Sequence, residues 1–151
     1  MYLDKAKARL EELNILEHDE VSPCTEEEVA ALEKQMSVCL PGAYREFLLW
    51  MGKDAGRLFR GTDCLYEILP KLKAWAIELL AENGLSDLLP DDAFVFLMHQ
   101  GYQFMFFRFS EGEDPPVYYY DQPSHQSSFT TAAPSYSAFL LDLIEGYAQS
   151  V

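Results

Sequence analysis

Three histidines, three cysteines and 25 carboxylates are the side chains of this 151-residue chain that could ligate a metal, attack a carbonyl or carry a proton. Metal binding needs ligands at helical or hairpin spacing, and His18, His99 and His125 stand far apart without such a partner. Cys24, Cys39 and Cys64 are odd in number and lack CxxC spacing, so they suggest neither a zinc site nor a disulfide framework. Cys24 precedes a helix cap, where a thiol's pKa can fall, but the three glutamates that follow oppose the thiolate. Cys39 and Cys64 read as small core residues. Asp91-Asp92 and Glu111-Gly112-Glu113-Asp114 supply paired carboxylates, yet they read as turn residues beside Pro or Gly, not as groups in a pocket that raises a pKa. No GxGxxG, GxxxxGK[ST], HExxH or GxSxG occurs, so the usual phosphate cradles, zincins and hydrolase elbows lack support. The expectation is a protein without catalytic residues, cofactor or metal.

What remains suits contact with a partner. His99-Gln100-Gly101-Tyr102 joins two apolar runs. His99 and Tyr102 there form either a polar patch at a sheet edge or a turn that satisfies its own backbone. Glu111, Glu113 and Asp114 make an acidic rim. Tyr118 and Tyr120, flanked by Asp121, offer large area at low entropy cost if one face of their strand is open. If helices cover both faces, all of Tyr118–Tyr120 are core.

Charge narrows the choice of partner. The net charge is −14, which argues against nucleic-acid binding and against an electrostatic membrane anchor, since both need clustered Lys and Arg. Residues 1–73 hold 10 basic and 14 acidic side chains, whereas residues 74–151 hold Arg108 alone against 11 acids. Such a half serves solubility, or it steers a basic partner. The first residues carry charges where a signal peptide needs an apolar run, and no apolar run approaches the roughly 18 residues of a membrane span. A cytoplasmic location is expected.

Four to five helices must position these residues. Leu3, Ala6, Leu10 and Leu13 mark the apolar face of the first. After the acidic loop Glu17–Val21, Thr25-Glu26-Glu27-Glu28 reads as a capping box opening a second, with Val29, Leu32 and Met36 inward. Pro41 suits the start of a third, which presents Tyr44, Phe47, Leu48 and Met51 and ends at Gly52 in the left-handed conformation. A fourth runs from about Lys71 to Asn83 with Leu72, Trp75, Ala76, Leu79 and Leu80 inward and Gly84 as its stop. Pro134-Ser135 starts the last, whose Phe139, Leu140, Leu143, Ile144 and Tyr147 face the core. Between the last two helices, ten of the chain's aromatic residues fall from Phe94 to Tyr120, and aromatics favour pleated, half-buried surfaces. Phe94–Met98, Gln103–Phe109 and Val117–Tyr120 read as strands, and Leu58–Arg60 as a short additional one. With no linker or repeat, residues 1–151 read as a single α+β domain, a central antiparallel sheet with four to five helices around it. Phe47, Trp75 and Phe139 are expected to be buried against that sheet.

Leu40-Pro41-Gly42-Ala43-Tyr44-Arg45-Glu46-Phe47-Leu48 through Gly52, preceded by the capped Thr25–Leu32 helix, resembles the N-terminal signature of the SUKH superfamily. Leu89-Pro90-Asp91-Asp92-Ala93-Phe94-Val95-Phe96, Gly101-Tyr102-Gln103-Phe104, Pro116-Val117-Tyr118 and the final helix with Phe139-Leu140 are similar to that superfamily's strand core and C-terminus. The order and spacing of these motifs cover residues 25 to about 147. One departure is Met51-Gly52-Lys53-Asp54, where Asn-Gly-Gly is common. The superfamily includes bacterial immunity proteins and a fungal cell-wall regulator. The resemblance therefore implies an α+β domain without catalytic residues. It also implies a protein partner, commonly a polymorphic toxin and often a nuclease, with a cytoplasmic adaptor or regulator of the same fold as the alternative.

Overall fold

The computed structural model describes residues 1–16, 21–122 and 127–150. His18, His125 and the acidic stretch Glu17–Glu20 lie outside the described residues. Five helices are present among the described residues: α1 (Asp4–Leu13), α2 (Glu26–Met36), α3 (Gly42–Met51), α4 (Leu69–Glu82) and α5 (Tyr136–Ser150). The capping box of α2 is formed on both sides: Glu28 N donates to Thr25 Oγ1 (3.1 Å) and Thr25 N to Glu28 Oε1 (3.0 Å). The α3 stripe of Tyr44, Phe47, Leu48 and Met51 is buried as its spacing requires.

Gly52 ends α3, but not in the left-handed region; its φ is −64°. Its lack of a side chain matters for another reason. A Cβ there would stand 2.7 Å from Cys24 Sγ, because the Cys24 amide comes in to donate to the Leu48 carbonyl at 2.8 Å. The glycine permits the segment before α2 to lie against the end of α3.

The strands are β1 (Thr62–Asp63), β2 (Ala93–His99), β3 (Gln103–Arg108), β4 (Val117–Asp121) and β5 (Thr130–Ala133). They form one antiparallel meander in the order β1-β2-β3-β4-β5. The β2–β3 turn places Gln100 at φ 51° and Gly101 at φ 80°, the left-handed pair that matches strand twist in tight hairpins. Leu58–Arg60 is a turn, and the extra strand comes later, where Thr62 and Asp63 pair with His99 and Met98. β5 is not among the expected strands: Thr130-Thr131-Ala132 is exposed and small, so it carries no apolar alternation.

β2 is buried from Ala93 through Met98, which requires cover on both faces. On one face Phe94, Phe96 and Phe107 meet rings from α3 and α5. Tyr44 touches all three and also Tyr136, at centroid distances of 5.3–5.9 Å, and Phe139 closes on Phe96. On the other, α4 packs against β2, and Phe129 packs on Phe104, Phe106 and Tyr120. The expectation for Phe47 and Phe139 holds, at 2% and 6% exposure, and that for Trp75 does not, at 36%. The inward stripe of α4 is Leu69, Leu72, Ala76, Leu79 and Leu80. Trp75 lies at the edge of that stripe, where the helix surface turns to solvent. Leu143 and Tyr147 on α5 are likewise only partly buried, and Cys39 is exposed.

These placements separate two kinds of aromatic substitution. Phe107→Ala should lower unfolding free energy by about 3–5 kcal/mol, whereas Trp75→Phe should change it by less than about 1 kcal/mol. Urea denaturation of both variants checks this, and a comparable loss from Trp75→Phe would return that side chain to the core.

Candidate partner-binding surface

The proposed contact residues fall into two groups at opposite ends of the β3–β4 pair, roughly 20 Å apart along the strands. At the end beside the β2–β3 turn, a row of polar side chains crosses four strands. His99 pairs with Thr62 on β1 and with Gln103 on β3, and Gln103 pairs with Asp121 on β4. Thr62 Oγ1 and His99 Nδ1 are 3.0 Å apart, and Gln103 Nε2 donates to Asp121 Oδ1 at 3.0 Å. The Tyr102 ring lies edge-on to His99, 6.0 Å between centroids. His99, Tyr102, Gln103 and Asp121 are each partly exposed. His99 is thus a strand-end residue bonded across the sheet, in a half-open polar surface.

At the other end stand Glu111, Glu113 and Asp114, in the connection between β3 and β4. They do structural work that local sequence does not announce. Glu113 Oε2 accepts from the Gly42 amide at 2.6 Å, and its main-chain oxygen accepts from the Ala43 amide at 2.9 Å. These are the first free amides of α3, whose N-cap, Pro41, has no side-chain oxygen to offer. Asp114 serves α5 in the same way: Ser137 N donates to Oδ1 (2.9 Å) and Ser137 Oγ to Oδ2 (2.6 Å). Ser135 Oγ takes the next amide, that of Ala138. Glu111 accepts from the Tyr118 hydroxyl, 2.9 Å from each carboxylate oxygen. Burial, and then Glu111, push the Tyr118 hydroxyl pKa up.

Tyr120 is a correction to the expected surface. It is 1% exposed and stacks on Phe104 within the face closed by Phe129, so it belongs to the core. Tyr118 and Tyr119 keep part of their surface in solvent. A register shift between Val117 and Tyr118 locally disrupts the β4–β5 pairing; Val117 is buried and the next two residues are not.

A further carboxylate fastens the same connection. Asp92 accepts from Arg108 Nε (2.8 Å) and from the Ser110 amide (3.1 Å). Hydrogen bonds from Ser110, with the Arg108 guanidinium behind them, lower the Asp92 pKa to about 2. The one cation of residues 74–151 is therefore already matched by an acid.

The two buried thiols, Cys24 and Cys64, are poorly placed for chemistry. Burial raises the Cys24 pKa to about 11, with Glu28 adding to the effect, and burial raises the Cys64 pKa to about 12. Among the described residues no three His, Cys, Asp or Glu side chains come together as a metal-holding group, and no helix is long and apolar enough to cross a membrane.

Two measurements follow. Asp114→Ala removes a cap from α5 and Glu113→Ala one from α3, each lowering stability by about 1 kcal/mol, while Asp114→Asn keeps most of the cap. Denaturant midpoints check this, and an unaffected Asp114→Ala would make the loop a purely solvated one. Asp92 holds its proton less readily folded than unfolded, so its contribution is complete above about pH 4 and fades as pH falls toward about 2. Stability curves of wild type and Asp92→Asn should run parallel above about pH 5 and converge between about pH 4 and pH 2. Curves that stay parallel through that window would show that the bonds to Ser110 and Arg108 are weak.

Comparison with curated proteins yields no match. The capped α2, the Leu-Pro entry into α3, the strand meander and the start of the closing helix all lie within one matched stretch. Residues 23–142, from just before α2 to the middle of α5, match the model of the SMI1 / KNR4 family (SUKH-1), and the chain belongs to that family.

Proposed function

We propose that this protein is a non-enzymatic immunity protein. It neutralises a polymorphic toxin by direct contact, and the toxin presents a basic surface of the kind a nuclease uses to hold its substrate. The family supports a binding role. The observation that carries the choice of a basic partner is the charge of residues 74–151. Eleven acids face one cation there, and that cation, Arg108, is bound to Asp92 at 2.8 Å. A field of one sign raises the encounter rate with an oppositely charged partner and falls off over about 8 Å at physiological salt.

Within this reading the half-exposed polar row of His99, Tyr102 and Asp121 offers hydrogen bonds and ring surface. Tyr118 and the outward charge of Glu111, Glu113 and Asp114 supply the rim. The three acids serve twice, as internal caps and as sources of field. Their neutralisation is best made with amides, which retain the acceptor oxygen.

The test is co-expression with a candidate toxin domain taken from a neighbouring gene, scored by cell survival and then by association kinetics with purified partners. Survival should require this protein. The association rate should fall by about tenfold or more from low to high salt, with dissociation changing less. Survival independent of this protein would end the immunity reading. Association indifferent to salt would remove the electrostatic mechanism.

A further inference from the structure

The edge of α4 carries an exposed aromatic side chain beside a cleft, apart from the acidic connection between β3 and β4. Trp75 and Ile77, at 36% and 43% exposure, are the large exposed hydrophobic side chains of the described residues outside the first two positions of the chain. Trp75 does not stand alone. It lines a cleft of about 280 Å³ together with Asp63, Glu78, Leu79, Glu82, Met98 and Gly101. The floor is apolar, from Leu79 and Met98, and the rim carries three carboxylates. None of the three has a hydrogen-bond or ion-pair partner among the described residues. Glu78 and Glu82 stand one helical turn apart, a like-charge spacing that destabilises a helix. Lys71, one turn before Trp75, lies outside the cleft, in a neighbouring hollow with Asp63 and Glu67, and bridges to neither.

The shape and chemistry select the occupant. The cleft is smaller than the roughly 300–1,000 Å³ of ordinary small-molecule sites, and it suits one or two side chains. Among the described residues the carboxylates do not gather as a metal-holding group; they share the cleft with an exposed indole. A planar cation with several donors meets all of these features. It stacks on the indole while its N–H groups reach carboxylates at the rim. We infer that the cleft between α4 and the β2–β3 turn, built on Trp75 with Asp63, Glu78 and Glu82, is an anchor site for an arginine side chain of a basic protein partner. The inference rests on the reading that the partner is basic, and it assigns that partner a specific hold in addition to long-range steering.

The test needs no toxin, so its outcome is separate from that of the survival assay. The chain has two tryptophans, and Trp50→Phe leaves Trp75 as the sole indole. Titrating that variant with a capped hexa-arginine peptide should change Trp75 fluorescence saturably. Hexa-lysine at equal charge should bind more weakly, and the double variant Glu78→Gln, Glu82→Gln should lose about tenfold in affinity. Should Trp50→Phe fold poorly, the two indole N–H resonances of the wild-type protein report the same titration, with the Trp75 signal alone moving. Four results would overturn the inference: an unmoved Trp75 signal, an affinity insensitive to the glutamine pair, displacement by millimolar magnesium alone, or a Trp75 change that follows protein concentration without peptide. The third would make the cleft a cation site and the fourth a contact between two copies of this chain.

Discussion

The connection between β3 and β4 is the constraint on which the rest of the molecule depends. It leaves the sheet at Arg108, and three successive carboxylates then tie it to three different places: Glu111 to Tyr118 on β4, Glu113 to the start of α3, Asp114 to the start of α5. Asp92 fixes the point of departure through Arg108 and Ser110. Each helix start presents free amides and a positive dipole end, so an incoming carboxylate satisfies donors and charge together. The sheet and the two helices over one of its faces are thereby set in register by polar contacts at one end. Tyr44 and its ring partners fill the space so defined. Direction comes from the caps, and most of the free energy from burial.

This division explains which parts of the molecule were legible in the sequence. The capping box of α2 was, because both partners lie within four residues and the pattern names the bonds. So were the stripes of α1 and α3 and three of the five strands, since each repeats a period that a short window contains. The carboxylate caps of α3 and α5 were not. Glu113 lies 71 positions from Gly42, and Asp114 lies 23 from Ser137; an acidic turn looks the same whether its oxygens face water or a helix end. Trp75 was misplaced for a related reason. It sits on the border of its helix's apolar arc, where spacing allows either side and only the packing of α4 on β2 decides.

The local geometry around the candidate surface was legible only in part, for the same cause. Strand alternation puts Tyr118 and Tyr120 on one face, where they stack on Phe106 and Phe104, but it cannot say that Phe129 closes over Tyr120. The covering residue arrives from beyond β4, before a strand, β5, whose small exposed residues give no pattern. His99 reads from sequence as a turn residue but is the last residue of β2, because its partner Thr62 belongs to a two-residue strand too short to be seen by alternation.

Once the internal uses are assigned, the acids of this protein separate into two sets. Asp92, Glu111, Glu113 and Asp114 have donors, and their charges are the condition of the fold. Asp63, Glu78 and Glu82 have none, and they cluster about an exposed indole that folding leaves half in water. An exposed carboxylate costs little by itself, but like charges one helical turn apart and an aromatic ring at the surface both act against the isolated chain. Solubility would be served as well by the same charges spread evenly and by a polar residue at position 75. Local choices that disagree with stability in one confined place are the mark of a functional constraint, and here the disagreement centres on α4, away from the loop whose acids the fold already employs.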